Sequence, residues 1–571
     1  MTPKSFGDIC RDEKAMFHSS KLMALSQLTQ KPYLQASIIF FSLYFLEPPK
    51  FFPVEPERTE VPVMPNLEIT QPGILSLLLN LNVKKSAGPD GISGTILRRY
   101  AEWLSHYLYL IFVESLRSSR LPDDWRCAKI VPIHKTGNKH LITNYRPISL
   151  TSTACKLIEH IICKAITKHL EENDVLYSHQ HGFRARLSTV TQLLEVTHDF
   201  ALTINDRQQT DAIFIDLSKA FDRVPHQKLI SKLQSVGISH ALISWIYGYL
   251  VKRKQYVILN GSTSGMLDVF SGVPQGSVLG PLLFLIYVND LPACVDPTVK
   301  VRLFADDCVI YTTIAGPESQ IILNKSLQNI SLWCKRWGMK INHDKTAVIT
   351  ITNKKNPLDF SYMLDNKTIN KVNEIKYLGV TISSNLKWET HVTNVYSNAF
   401  KKLGYLRRKL KNSTSATKLS AYKALVRPVL EYASIIWSPY QDYLDNKLEK
   451  IQRIAVRFIY SNYSWKASVT AMLANAKLDT LKYRRKIASL KFLYALYQQQ
   501  INIAEEKYLK APFVHSKRTN HNKTIRPYSA KNNTFKYSFF PRVIDDWNKL
   551  PEEIVNSTSA QSFAETLTSM N

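Results

Sequence analysis

The sequence predicts a mixed α/β (α+β) chain, and three observations carry that reading. The apolar run Ala212-Ile213-Phe214-Ile215 ends at Asp216, where the pattern turns polar, as at the end of a buried strand. Val301 to Tyr311 reads as two short β-type runs joined by a tight turn, with Ala305-Asp306-Asp307 at its tip. Beyond about residue 386 the apolar spacing becomes helical: Leu448, Ile451, Ile454, Ala455 and Phe458 fall on one face, with Arg453 and Arg457 turned outward.

Each segment follows from its own composition. Residues 1–70 form a poorly organised segment, because Pro48-Pro49, Pro53, Pro56, Pro62 and Pro65 interrupt any regular element. Within it, Ser37 to Leu46 is apolar but too short to span a membrane, and it lacks the layout of a signal peptide. Residues 71–385 alternate strands and helices, residues 386–480 are helical, and residues 481–571 form a basic C-terminal region. Gly272 to Gly280 holds three glycines and a proline ahead of the apolar run Pro281 to Tyr287, a loop that opens a helix. It lacks the Gly-Lys-Ser/Thr ending of a phosphate-cradling loop. Within the helical region, Tyr432, Trp437 and Tyr440 are read as core residues rather than as base-stacking ones.

The carboxylates suggest chemistry. Two adjacent acids in a turn between buried strands are costly unless a cation sits against them, although an Asp pair is also ordinary turn chemistry. With Asp216 on a second strand end, three carboxylates could hold two divalent ions roughly 3.5–4 Å apart, as a phosphoryl-transfer site requires. Asp222, near Pro225, reads as a turn or helix-cap acid.

The order of these pieces resembles the reverse transcriptase of non-LTR (LINE-type) retrotransposons, most closely the jockey-like group. Phe214 to Val224 is similar to polymerase motif A, Ser271 to Pro281 to motif B, and Phe304 to Asp307 to motif C. Ser86 to Ile92, Trp125 to Gly137, Asn144 to Leu150 and His181-Gly182-Phe183-Arg184 resemble finger motifs. Lys340 to Lys345 and Tyr377-Leu378-Gly379 resemble motifs D and E. The resemblance covers about residues 75–395 in order. It implies a right-hand polymerase: fingers and palm over 71–385, then a helical, basic thumb and C-terminal region.

It also implies roles. Asp216, Asp306 and Asp307 would be catalytic and hold two Mg²⁺ ions, with Mn²⁺ as the alternative ion. Phe221 would be the gate that rejects a 2′-hydroxyl, so the product would be DNA. Arg146 and Lys129 would grip the triphosphate, Gln275 and Gly276 would meet the template–nucleotide pair, and Lys345 would aid pyrophosphate departure. The partners implied are an RNA template, a DNA primer or target, and dNTPs, with no membrane and with the oligomeric state left open. The resemblance places the work in the nucleus and cytoplasm. Residues 1–70 are too short for an endonuclease, and no RNase H acid set follows residue 400, so DNA synthesis is the single activity expected.

Charge agrees. Against 46 Asp+Glu stand 74 Lys+Arg, a net +28 that calls for a polyanionic partner. Between Lys387 and Lys549, 31 Lys and Arg face 10 Asp and Glu, so most of the excess lies there. Arg407-Arg408-Lys409, with Arg453 and Arg457, are the expected nucleic-acid contacts; Arg484-Arg485-Lys486 and Lys517-Arg518 are further clusters. Seven cysteines show no zinc-ligand spacing and fit a reducing, intracellular compartment. Two other readings stand beside the enzyme. One is a catalytically inactive or domesticated nucleic-acid-binding remnant. The other is a maturase-like or RNA-making relative, against which Phe221 speaks.

Overall fold

The computed structural model describes residues 61–135, 137–512 and 521–569; the run Ser37 to Leu46 and the Lys517-Arg518 pair lie outside them. The main strands run in chain order as β1 (Cys127–His134), β2 (Tyr145–Leu150), β3 (Gln209–Asp216), β4 (Arg253–Leu259), β5 (Ser262–Thr263), β6 (Leu267–Val269), β7 (Lys300–Phe304), β8 (Asp307–Thr313) and β9 (Ala347–Thr352). They belong to two compact units that interleave along the chain. Of the described residues, one is made of those up to 176 with 219–289 and 337–339; the other of those in 177–218, 290–336 and from 340 onward.

The first unit is built on a sheet of order β2-β1-β4-β5, with β6 also paired to β4. β1 runs antiparallel to β2 and parallel to β4. The helix Leu279–Val288 is apolar all round and nearly every residue in it is buried, as expected of a helix with no solvent face. Its first turn is held by the buried carboxylate of Glu159, whose Oε2 accepts from the Val278 and Leu279 amides at 2.7 and 3.1 Å. An anion at a helix N-terminus satisfies both the free N–H groups and the helix dipole.

The second unit carries a sheet of order β9-β3-β8-β7, antiparallel throughout, with the short strand Asn370–Lys371 beside β9. β3 is buried along seven of its eight residues, which explains its near-continuous apolar sequence. One of those residues is Asp211. Its carboxylate accepts from Gln209 Nε2, Gln320 Nε2 and the Tyr362 hydroxyl at 3.1, 3.0 and 2.7 Å, the satisfaction a buried acid needs. The helix Thr189–Asn205 covers this sheet and starts at a capping box between Ser188 and Thr191. A single core then runs from this helix and from Phe214 and Val309, through Trp437 and Leu448, to Trp547 and Phe563.

Helices dominate after residue 386, as the spacing predicts. Leu448, Ile451, Ala455 and Phe458 of the helix Asp442–Ile459 are buried while Arg453 is exposed. The three aromatic residues divide. Trp437 is wholly buried, but Tyr432 and Tyr440 are 44% and 40% exposed, contrary to the core assignment. Tyr432 lies beyond the end of a short helix, where its ring covers Gly379 and its hydroxyl donates to the Leu378 carbonyl at 2.9 Å. Among the described residues no helix is long and apolar enough to cross a membrane.

Candidate active site

β7 and β8 form a hairpin whose two-residue turn is Ala305-Asp306. Phe304 pairs with Asp307 across it, and Asp307 in turn pairs with Asp216 on β3. Residues paired directly across neighbouring strands project from the same sheet face, so Asp216 and Asp307 share one face, with Asp306 at the turn beside them. Ala305 has φ 55°, the positive value that two-residue hairpin turns demand. The end of β3 is fixed by the segment that resembles motif D. Asn342 N–H donates to the Asp216 carbonyl at 2.7 Å, Ser218 N–H to the Lys340 carbonyl at 2.7 Å, and Asp216 N–H to Thr346 Oγ1 at 3.4 Å. Lys345 Nζ stands 3.9 Å from Asp216 Oδ2; the lysine is open to solvent and the aspartate partly so, and at that distance the pair adds little to stability.

The hairpin has a support that the sequence reading missed. Gln180 is buried, and its Oε1 accepts from the Ala305 amide at 2.9 Å and from the Gly182 amide at 2.8 Å. His181 N–H donates to the Leu303 carbonyl and Leu303 N–H to the His179 carbonyl, at 2.9 and 3.1 Å. Gly182 is packed so closely that a Cβ there would lie 2.3 Å from the Ala305 nitrogen. The only sequence signal was His181-Gly182-Phe183-Arg184, which was read as a finger segment with no link to the acids.

Beside this support lies a buried charge network. Glu195 Oε2 is 3.2 Å from His179 Nδ1, 3.4 Å from His181 Nε2 and 3.3 Å from Arg302 Nε, while Oε1 accepts from the Tyr508 hydroxyl at 3.1 Å. Burial alone would raise the Glu195 carboxyl, but hydrogen bonds from both histidines and the Arg302 charge outweigh it and hold it well below the usual range. His179, His181 and Glu195 are close enough to share a metal ion. Their carboxylate already faces a guanidinium, however, and a second cation there would be repelled. The three carboxylates at the hairpin offer the hard oxygen donors that Mg²⁺ prefers.

The first unit gathers another set. Phe221 is half-buried and stacks on Phe284 with ring centroids 4.3 Å apart. Its carbonyl accepts from Val273 N–H at 2.8 Å, and Gly272 packs against the Asp222 backbone with φ 86°. Asp222 is buried in the short helix Ala220–Arg223, and its Oδ1 accepts from Gln275 Nε2 at 2.7 Å. The Gln275 carbonyl accepts from Ser149 N–H at 2.8 Å; a Cβ on Gly276 would meet the Ser149 carbonyl oxygen at 2.4 Å, so only glycine fits there. Arg146 is exposed on β2 opposite Ile133 of β1, and Ile133 is four residues from Lys129. Even spacing puts Arg146 and Lys129 on one sheet face, about 13 Å apart.

The expected nucleic-acid residues divide as well. Arg407, Arg408 and Lys409 are exposed at the end of the helix Glu389–Lys409, and Arg453 is exposed. Arg457 is half-buried, with Nη1 donating to the Ser464 carbonyl at 2.6 Å. Arg484-Arg485-Lys486 is not an open cluster. Arg484 pairs with Glu431, the buried Arg485 with Asp445, and Lys486 with Asp546.

Asp216 at the end of β3 pairs with Asp307 beside Asp306 on an antiparallel sheet, the placement that the resemblance to a polymerase implies. Residues 133–382 match the model of the reverse transcriptase (RNA-dependent DNA polymerase) family, so the chain carries a reverse transcriptase domain. It is similar to the probable RNA-directed DNA polymerase from transposon BS of Drosophila melanogaster, 31% identical over 416 residues that cover 71% of this chain and 46% of that protein. It is likewise similar to the probable RNA-directed DNA polymerase from transposon X-element of the same species, at 28% over 419 residues, 72% of this chain and 46% of that protein. The RNA-directed DNA polymerase from mobile element jockey, also of that species, is 28% identical over 416 residues, 69% of this chain and 44% of that protein. The chain thus spans about half the length of the curated relatives it matches.

Proposed function

We propose that this chain is an RNA-directed DNA polymerase that extends a primer 3′ end on an RNA template with dNTPs. The observation that carries the reading is the pairing of Asp216 with Asp307 beside Asp306, three carboxylates at one end of the sheet. Two Mg²⁺ ions, with Mn²⁺ as the alternative, would when bound activate the primer hydroxyl and neutralise the triphosphate. Asp216, Asp306 and Asp307 would be their ligands. Arg146 and Lys129, on one sheet face, would orient the triphosphate. Lys345, beside Asp216, would meet the departing pyrophosphate. Gly276 would let the backbone come close to the template–nucleotide pair, and Gln275, tied to Asp222, would brace that loop. Arg407, Arg408, Lys409, Arg453 and Arg457 would take backbone phosphates, a contact that weakens with salt.

Primer extension on an RNA template tests this against an Asp306→Ala, Asp307→Ala double variant. The parent should incorporate dNTPs in Mg²⁺ and the variant should be slower by about a thousandfold or more, since each ligand supports several kcal/mol of charge stabilisation. If neither protein extends the primer while both bind it, the chain is a binding remnant and the proposal falls.

The gate has its own test. Phe221 is the fifth residue after Asp216, and Phe284 and Val273 fix its ring and backbone. Phe221→Val should lower the preference for dNTPs over rNTPs by about a hundredfold, read as the ratio of kcat/KM for single-nucleotide incorporation. An unchanged ratio would leave Phe221 as a core residue.

A further inference from the structure

The C-terminal part of the second unit contains a basic, tyrosine-lined pocket of about 420 Å³ to which the polymerase reading gives no role. Arg542 lines it. This half-buried guanidinium donates from Nη1 to the Ser438 carbonyl at 3.2 Å and from Nη2 to the Ile435 carbonyl at 3.1 Å, which fixes its plane. Among the described residues no carboxylate lies within ion-pair distance of it; Asp546, one turn along the same helix, is bridged to Lys486 at 3.0 Å. Burial pushes the Arg542 guanidinium down to about 10, against the opposing pull of Asp546 and Asp445, and it is still charged at neutral pH. Arg485, another lining residue, is 2% exposed; it pairs with Asp445, while its Nε and Nη1 are buried without a hydrogen-bond partner. Lys482 and Lys486 are exposed beside them. Lys482 reaches Asp442 and Asp445 at 3.5 and 3.4 Å, pairs weak enough to exchange for another anion.

Aromatic surface completes the pocket. Tyr440, 40% exposed, stacks on Tyr537 with centroids 4.4 Å apart and planes 11° from parallel. An oriented guanidinium recognises phosphate, and an accessible tyrosine offers a face to any base that is not already stacked. A duplex hides its base faces; a single strand presents base and phosphate together. We propose that this pocket binds single-stranded nucleic acid, with a backbone phosphate on Arg542 and a base against the Tyr440–Tyr537 pair. This goes beyond the polymerase reading and requires no catalysis.

The test uses the full chain and a fluorescein-labelled 12-nucleotide single strand carrying 5-bromouracil, beside a duplex of the same length. Ultraviolet irradiation should crosslink the single strand to the peptide holding Tyr440, Tyr483 or Tyr537. Arg542→Gln removes two structural hydrogen bonds and can unfold the region, so the variants of choice are the exposed Lys482→Ala/Lys486→Ala pair and Tyr440→Ala. Each should lose the crosslink and weaken single-strand binding about five- to tenfold, with duplex affinity unchanged within about twofold. Equal weakening of both ligands would mean diffuse attraction and would overturn the proposal, as would crosslinks confined to other peptides. Full displacement of the strand by millimolar dTMP would identify a mononucleotide pocket and reject the strand reading.

Discussion

If the chain is the polymerase proposed above, Gly182→Ala is expected to slow primer extension about a hundredfold or more while leaving the protein folded. The added Cβ would lie 2.3 Å from the Ala305 nitrogen, 3.0 Å from the Phe304 carbonyl carbon and 3.1 Å from the Ala305 Cα. All three neighbours are backbone, so no rotamer change relieves the clash and the hairpin itself must move. Its movement would stretch the Gln180 bonds to Ala305 and Gly182 and the pairing of Leu303 with His179 and His181. Overpacking of this kind costs about 1–3 kcal/mol of stability, which a chain of this size tolerates. The catalytic cost is larger, because a displacement of roughly 1 Å in a positioned group lowers a rate about a hundredfold. Primer extension should therefore fall about a hundredfold or more, while the melting temperature drops by a few degrees. Gln180→Ala separates packing from hydrogen bonding. It adds no bulk but leaves the Ala305 N–H buried without a partner, a loss of about 1–3 kcal/mol, and a smaller fall in rate should follow. Full activity in both variants would show that the hairpin holds itself in place.

These two residues mark the boundary of what the sequence made legible. The acids could be read because their signal is local: a period of two on either side of a turn, and a polar residue at the end of an apolar run. The same locality gave the helix Asp442–Ile459, whose apolar face and outward Arg453 follow from spacing alone. Gln180 could not be read, since its partner Ala305 lies 125 residues away and a glutamine before a glycine carries no pattern. The charge count failed for a related reason. Arg484-Arg485-Lys486 looks like an open basic cluster because its counter-ions Glu431, Asp445 and Asp546 arrive from distant elements. Summing residues detects an excess of charge, but only the fold says which charges are already paired. Tyr440 was read as core, yet the residue it stacks on, Tyr537, is 97 positions later.

Removing residues 500–571 is expected to cost the whole second unit, because the C-terminal segment is part of the core that β3 and β8 share. The helix Thr189–Asn205, which covers that sheet, is gripped on its far side by this segment. Tyr508 donates to Glu195 at 3.1 Å, Lys531 N–H to Asn205 Oδ1 at 2.7 Å, and Asn532 Nδ2 to the Ile204 carbonyl at 3.1 Å. His198 of the same helix sits among aromatic rings, 4.9 Å from Phe540, 5.3 Å from Tyr508 and 5.6 Å from Tyr528. Burial in that cage lowers its imidazole to about 4, so it is neutral at neutral pH. Tyr508, Phe535, Phe540, Val543, Ile544, Trp547 and Phe563 are each at most 6% exposed. Every such side chain contributes about 1.5–3 kcal/mol on burial, and a net stability of about 5–15 kcal/mol does not survive the loss of several at once. The deletion should also strand the Glu195–Arg302 network beside Gln180 without its tyrosine, in contact with water. The expected result is an insoluble or molten product, with hydrogen exchange in β3 and β8 no longer protected and no primer extension. Tyr508→Phe, which keeps the ring and removes only the hydroxyl, should retain the fold with a loss of about 1 kcal/mol. A soluble, active protein ending at residue 499 would instead make the C-terminal segment an independent module, and the shared core would have no energetic meaning.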